Sequence, residues 1–136
     1  MKKWSEEKAR QWYESRPWIR GFNGLPSNCV NSTAMWQSYN HDETAKQIER
    51  EFALAKQTGL NAVRTVLSFE LWLYEHDSYM KNFADYLDAA EKYGLTVMPV
   101  IGNDCNVPKE FYKFSTGPQN VDWGYHSGIK RGQHSA

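Results

Sequence analysis

Gly59-Leu60-Asn61-Ala62-Val63-Arg64-Thr65-Val66-Leu67-Ser68-Phe69 opens on a glycine and runs on through apolar and β-branched residues. Glycine is the cheapest residue at the left-handed position that ends a helix. The run behind it lacks clean alternation, which predicts a strand buried on both faces in a parallel sheet. Arg64 interrupts it. A guanidinium keeps its charge, so burial there requires a carboxylate or other hydrogen-bonding partner from elsewhere in the fold. The other reading is a strand-edge residue whose head reaches solvent.

The pattern returns 35 residues later. Ala90-Glu91-Lys92-Tyr93-Gly94-Leu95-Thr96-Val97-Met98-Pro99-Val100-Ile101 repeats the stretch from Ala55 to Val66, and Asp77 repeats Asp42 at the same offset. Ile48/Phe83 and Phe52/Leu87 keep the spacing on the intervening helices. Each unit pairs one helix with one buried strand, so the repeat predicts β/α units rather than a helical solenoid.

The 136 residues suffice for one domain, and 16 basic residues balance 16 acidic ones. That balance gives no electrostatic ground for a nucleic-acid or membrane-surface partner. Lys2, Lys3, Glu6 and Glu7 make the start polar, without a secretory core, and no apolar run is long enough to span a bilayer. Cys29 and Cys105 do not make a disulfide framework, and with His126 and His134 they match no zinc spacing. A cytoplasmic protein without cofactor is the expectation.

Taken in order, Ser5 to Ser15 reads as a helix capped by Ser5, with Ala9, Trp12 and Tyr13 on one face. Trp18 to Gly24 is a first strand, and Leu25 to Asn40 a long loop. Asp42 caps a helix to about Thr58 whose inner face is Ala45, Ile48, Phe52 and Ala55. Glu70 to His76 is a loop with exposed Trp72 and Tyr74. Asp77 caps the next helix, facing inward with Met80, Phe83, Leu87 and Ala90. After the third strand come Gly102-Asn103-Asp104-Cys105, a short helix at 109–114, and a polar, glycine-rich tail. The long loops follow the strands, at the edge of a parallel sheet where β/α folds build their sites. There Asn103 and Asp104 suit sugar hydroxyls, or else simply start a turn. Trp36, Trp72 and Trp123 are candidates for stacking on sugar rings or for packing beneath their loops. Glu70, Glu110 and Asp122 read as solvated loop acids.

Trp18-Ile19-Arg20-Gly21-Phe22-Asn23, the Asn28-Cys29-Val30-Asn31 loop leading to Trp36-Gln37, Gly59-Leu60-Asn61-Ala62-Val63-Arg64 and Tyr93-Gly94-Leu95-Thr96-Val97-Met98-Pro99-Val100 together resemble the N-terminal part of cellulase-like (β/α)8-barrel glycoside hydrolases. The resemblance implies an α/β fold, a partial TIM barrel of about the first three β/α units, spanning residues 1–136. It implies a retaining hydrolase of β-linked glycans with two catalytic glutamates on later strands, and an Arg64 placed beside the nucleophile. No Asn-Glu-Pro motif is present, so the chain itself is expected to lack the catalytic residues and to be inactive. Substrate-binding candidates are Asn23, Trp36, Arg64, Asn103, Asp104 and His126, and the expected partner is a carbohydrate. The alternative is a non-catalytic partial barrel that binds sugar or serves in assembly. A sheet of three strands would leave two open edges, through which self-association is expected.

Overall fold

The computed structural model describes residues 3–102 and 117–119. Three parallel strands, β1 (Gly21–Asn23), β2 (Ala62–Val66) and β3 (Thr96–Val100), lie in the order β1-β2-β3. Five helices accompany them: α1 (Glu6–Glu14), α2 (Ser32–Trp36), α3 (His41–Gln57), α4 (Phe69–Tyr74) and α5 (His76–Tyr93). Asn23, Arg64 and Met98 share one rung of the sheet, and Phe22, Val63 and Val97 another. The fold is thus mixed α/β with a parallel sheet, as expected.

The two repeated glycines do the same work. Gly59 (φ +82°) and Gly94 (φ +71°) both hold the left-handed conformation that costs other residues energy. The amides of Leu60 and Leu95 donate back to the carbonyls of Ala55 and Ala90, each at 2.9 Å. Gly59 and Gly94 donate to Lys56 and Glu91 at 3.1 and 2.9 Å. These paired bonds satisfy the last carbonyls of each helix and turn the chain into the next strand. Asn61 then ties the strand starts together. Its side chain accepts from the Arg20 amide at 2.7 Å and donates to the Trp18 carbonyl at 2.9 Å. Its backbone carbonyl accepts from Thr96 at 2.9 Å.

α3 and α5 cover the Phe22/Val63/Val97 face. Ile48, Phe52 and Ala55 from α3 and Tyr79, Tyr86, Ala89 and Ala90 from α5 are buried in one cluster with Val63, and Phe22 and Val97 pack against it. An aromatic chain runs through it: Trp36 to Tyr86 at 5.0 Å, Tyr86 to Phe52 at 5.0 Å, Phe52 to Phe22 at 6.3 Å, all edge-on. Edge-to-face contacts of this kind add stabilisation beyond area burial.

The inner face of α5 departs from expectation. Met80 and Leu87 are 43 % and 39 % exposed, while Tyr79, Asn82 and Tyr86 turn inward. Asn82 pays no desolvation penalty there, because its amide donates to the carbonyls of Trp36 and Gln37 at 3.0 and 3.3 Å. Ala45 of α3 is half-buried and Thr44 takes the buried place. Neither Asp42 nor Asp77 is a cap. Both sit in the first turn, where their charge suits the positive helix end, while Asn40 (φ +56°) and Glu75 hold the cap positions. Asparagine tolerates that left-handed geometry better than most residues.

Two segments expected as loops contain helices. α2 lies within Leu25 to Asn40 and starts at Asn31, whose side chain accepts from the Ala34 amide at 2.8 Å. α4 overlaps Glu70 to His76, beginning at Phe69 and capped by Ser68. Both are too short for periodicity to reveal. The helix expected from Ser5 is present as α1, but it buries no residue; Trp12 and Tyr13 are 41 % and 64 % exposed.

β2 is covered on one face rather than both. Val63 and Thr65 are buried beneath the helices, whereas Arg64 on the other face is exposed. Among the described residues no second layer lies over Arg64 and Met98. No strand among the described residues pairs with the outer edge of β1 or β3. Thr96 donates to Asn61 and Val100 accepts from Leu67, so the alternation along β3 turns the backbone of Val97 and Pro99 away from β2. Proline, which has no amide to offer, thus stands where no bond to β2 is lost.

Candidate functional site

Across the middle of the sheet, on the Asn23–Arg64–Met98 rung, lie the described residues from which a site would be built. On the uncovered face the Arg64 guanidinium donates to the Asn23 side-chain oxygen at 3.2 Å across neighbouring strands. This corrects the expectation of a buried arginine held by a carboxylate. Arg64 has the solvent-reaching head of the other reading, and its partner is a neutral amide. The pair borders a shallow trough of about 250 Å³ lined by Ile19, Gly21, Asn23, Ala62, Arg64 and Met98.

Trp36, expected as a sugar-stacking ring, has none of its surface exposed. Its indole nitrogen donates to the Val66 carbonyl at 2.7 Å, and Tyr79, Phe83 and Tyr86 surround it at 5.0–6.1 Å. It fastens α2 to the end of β2 from within, and a ring so enclosed has no face for a ligand. Asn103, Asp104 and His126, like Cys105, Glu110, Asp122, Trp123 and the short helix at 109–114, lie outside the described residues. Of the named candidates, the described structure therefore joins Asn23 to Arg64 and sets Trp36 beneath the site.

A buried polar cluster above α2 carried no signal in the residue pattern. Gln119 donates to Gln37 at 2.6 Å, and the Ser38 amide donates to Glu75 at 2.9 Å. The other Glu75 oxygen is buried and accepts no hydrogen bond from a described residue. The one available hint was position, since Glu75 follows the Asn40 cap at the repeat spacing.

Cys29 is buried. Burial pushes its thiol up to about 11, and its sulfur lies 3.9 Å from the Thr44 hydroxyl. That disfavours the thiolate, the form that reacts or binds metal. Among the described residues no group of three or more His, Cys, Asp or Glu could hold a metal ion, and no helix is long and apolar enough to cross a membrane. Against protein-family models, curated proteins and solved structures, the chain has no match.

His41 sits at the start of α3 with both ring nitrogens buried and without a hydrogen bond to any described residue; Nε2 lies 4.0 Å from Asp85. Burial lowers its pKa from the usual 6.5, Asp85 and Asp42 oppose this, and Lys81 adds to it. The unfolded chain therefore binds the proton more readily than the folded one. Stability is expected to be full above pH 6.5 and to fall as the pH drops through the folded-state value. Urea titrations from pH 7.5 to 5 should show this loss, with His41→Gln flattening it. An equal slope in the variant would assign the loss to other groups.

Proposed function

We propose that this chain is the first three β/α units of a cellulase-like (β/α)8 barrel that hydrolyses β-linked glycans. The observation that carries the reading is the Arg64–Asn23 pair on the uncovered face of three sequential parallel strands. In a closed barrel that face points inward, where the fold keeps its chemistry at the C-terminal ends of the strands. The resemblance supplies the rest: Arg64 would stand beside the nucleophilic glutamate of a later strand, with Asn23, Asn103, Asp104 and His126 as the residues that would bind the carbohydrate.

A barrel of eight β/α units takes about 250 residues, and the three described strands would be the first three of them. The outer edges of β1 and β3 are where the other units would pair, and in their absence a second copy of the chain would pair there instead. The purified chain is expected to associate in light scattering and to show no turnover on aryl β-glycosides or on xylan and mannan oligomers. Retaining hydrolysis needs two carboxyls about 5–5.5 Å apart. General acid–base assistance alone is worth about 10²–10⁴-fold. The reading frame beyond codon 136 should continue into an Asn-Glu motif. Turnover by the chain alone, or a frame without that motif, would overturn the reading. A stop codon there would favour the non-catalytic module, which the pairing of Arg64 with a neutral amide already suits.

A further inference from the structure

On the rim just after β2, two large aromatic residues stand in water on a helix that is firmly held. Leu71 anchors α4 with no exposed surface, the Ser68 hydroxyl accepts from the Leu71 amide at 3.3 Å, and Glu75 donates back to the Leu71 carbonyl at 2.8 Å. From this anchored turn Phe69 and Trp72 project with 64 % and 45 % of their surface exposed. Their rings stack at 5.9 Å, only 21° from parallel, and His76 meets Trp72 edge-on at 5.6 Å. Trp72 is thus not packed beneath its loop, which was the competing explanation for an aromatic at this position.

We propose that Phe69 and Trp72 form a stacking platform for a pyranose ring of a neutral glycan chain. The proposal rests on the glycan reading above and adds a place where the chain is gripped. The C–H face of a pyranose is apolar and weakly positive, which suits the negative face of an aromatic ring. The hydroxyls at its edge need acceptors, and Asp77, fully exposed, stands 3.1 Å from the His76 ring that meets Trp72 edge-on. Between Leu67 and Met80 the chain carries Glu70, Glu75 and Asp77 and no lysine or arginine. That charge repels phosphates, nucleic acids and acidic polysaccharides. A quaternary ammonium ion would fit the charge, but it is best held by aromatic faces closing around it, and these two rings lie open and nearly parallel.

The test uses the intact chain with cellopentaose, xylopentaose and mannopentaose, read by the indole resonances of its tryptophans. At least one pentaose should shift the Trp72 resonance, and Trp72→Ala and Phe69→Ala should each weaken binding roughly tenfold. Trp12→Ala, an exposed tryptophan on α1, should leave it unchanged. Neither rim residue is buried, so both variants should keep the parent circular dichroism. Binding that survives both rim substitutions overturns the platform while leaving the glycosidase reading standing. A Trp72 resonance that ignores all three pentaoses overturns it too, and one that moves with choline instead makes the rings a cation site. The glycosidase reading fails separately, through a downstream frame that lacks its glutamates.

Discussion

Trp36→Ala is expected to cost about 3–5 kcal/mol, enough to unfold most of the population of a marginally stable domain. The indole is wholly buried and fills the space between α2, α5 and the end of β2. Truncation removes that apolar surface, leaves a cavity among Tyr79, Phe83 and Tyr86, and strips the Val66 carbonyl of its 2.7 Å donor. Trp36→Phe separates the two losses. It keeps most of the volume, so its cost should fall to about the 0.5–1.5 kcal/mol of one hydrogen bond lost at the half-buried Val66. Urea unfolding of the three proteins measures both. An alanine variant as stable as the parent would show that the aromatic cluster does not bear on stability.

Gly24→Ala is the second large effect, at about 1–3 kcal/mol or more. A methyl group there would lie 2.4 Å from a Val63 methyl and 2.6 Å from the Tyr86 hydroxyl. Both neighbours are buried in the packed core, so neither yields cheaply. The Gly24 amide also donates to the Arg64 carbonyl at 2.7 Å, which pins the chain where it leaves β1. The Tyr86 hydroxyl lies beside Thr65 without closing a hydrogen bond, and burial raises its pKa well above the usual 10. Gly102→Ala provides the control, because no atom of the described residues stands within 4 Å of its added methyl. Thermal melts in which the two alanines behave alike would contradict the contact argument.

Much of the architecture could be read from the residues because it rests on local chemistry. Gly59 and Gly94 announce helix ends by a backbone property that few other residues share, and the apolar runs behind them become parallel strands. Ser5 announces α1 by its hydroxyl, which accepts from the Lys8 amide at 3.2 Å. What could not be read depends on partners distant in the chain. Asn82 looks like a surface residue until the Trp36 and Gln37 carbonyls, 46 and 45 positions away, are placed against it. Tyr79 and Tyr86 displaced Met80 and Leu87 from the inner face because the space beside Trp36 suits rings. Arg64 was legible as an anomaly, but its amide partner was not, because pairing with Asn23 follows from strand register. Trp36 reads as either a rim ring or a packing ring, with only the resemblance favouring the rim, because an indole near a loop has the same composition whether it faces a ligand or the core. Phe69 and Trp72 carry too little periodicity to reveal their helix: the exposure of Trp72 follows from its loop, whereas that of Phe69 became visible only once Leu71 had fixed which side faced inward.

The enclosure of Trp36 also bears on synthesis at the ribosome. Tyr86, which closes the far side of the indole, follows it by 50 residues. At translation rates of about 5–20 residues per second, the indole waits on the order of several seconds before that side can be sealed. Through that interval β1, α2 and α3 can form but cannot bury the ring, and the nascent chain presents an uncovered aromatic surface. A chaperone that acts on emerging polypeptides would find its window there, and slower decoding between codons 60 and 86 would lengthen it.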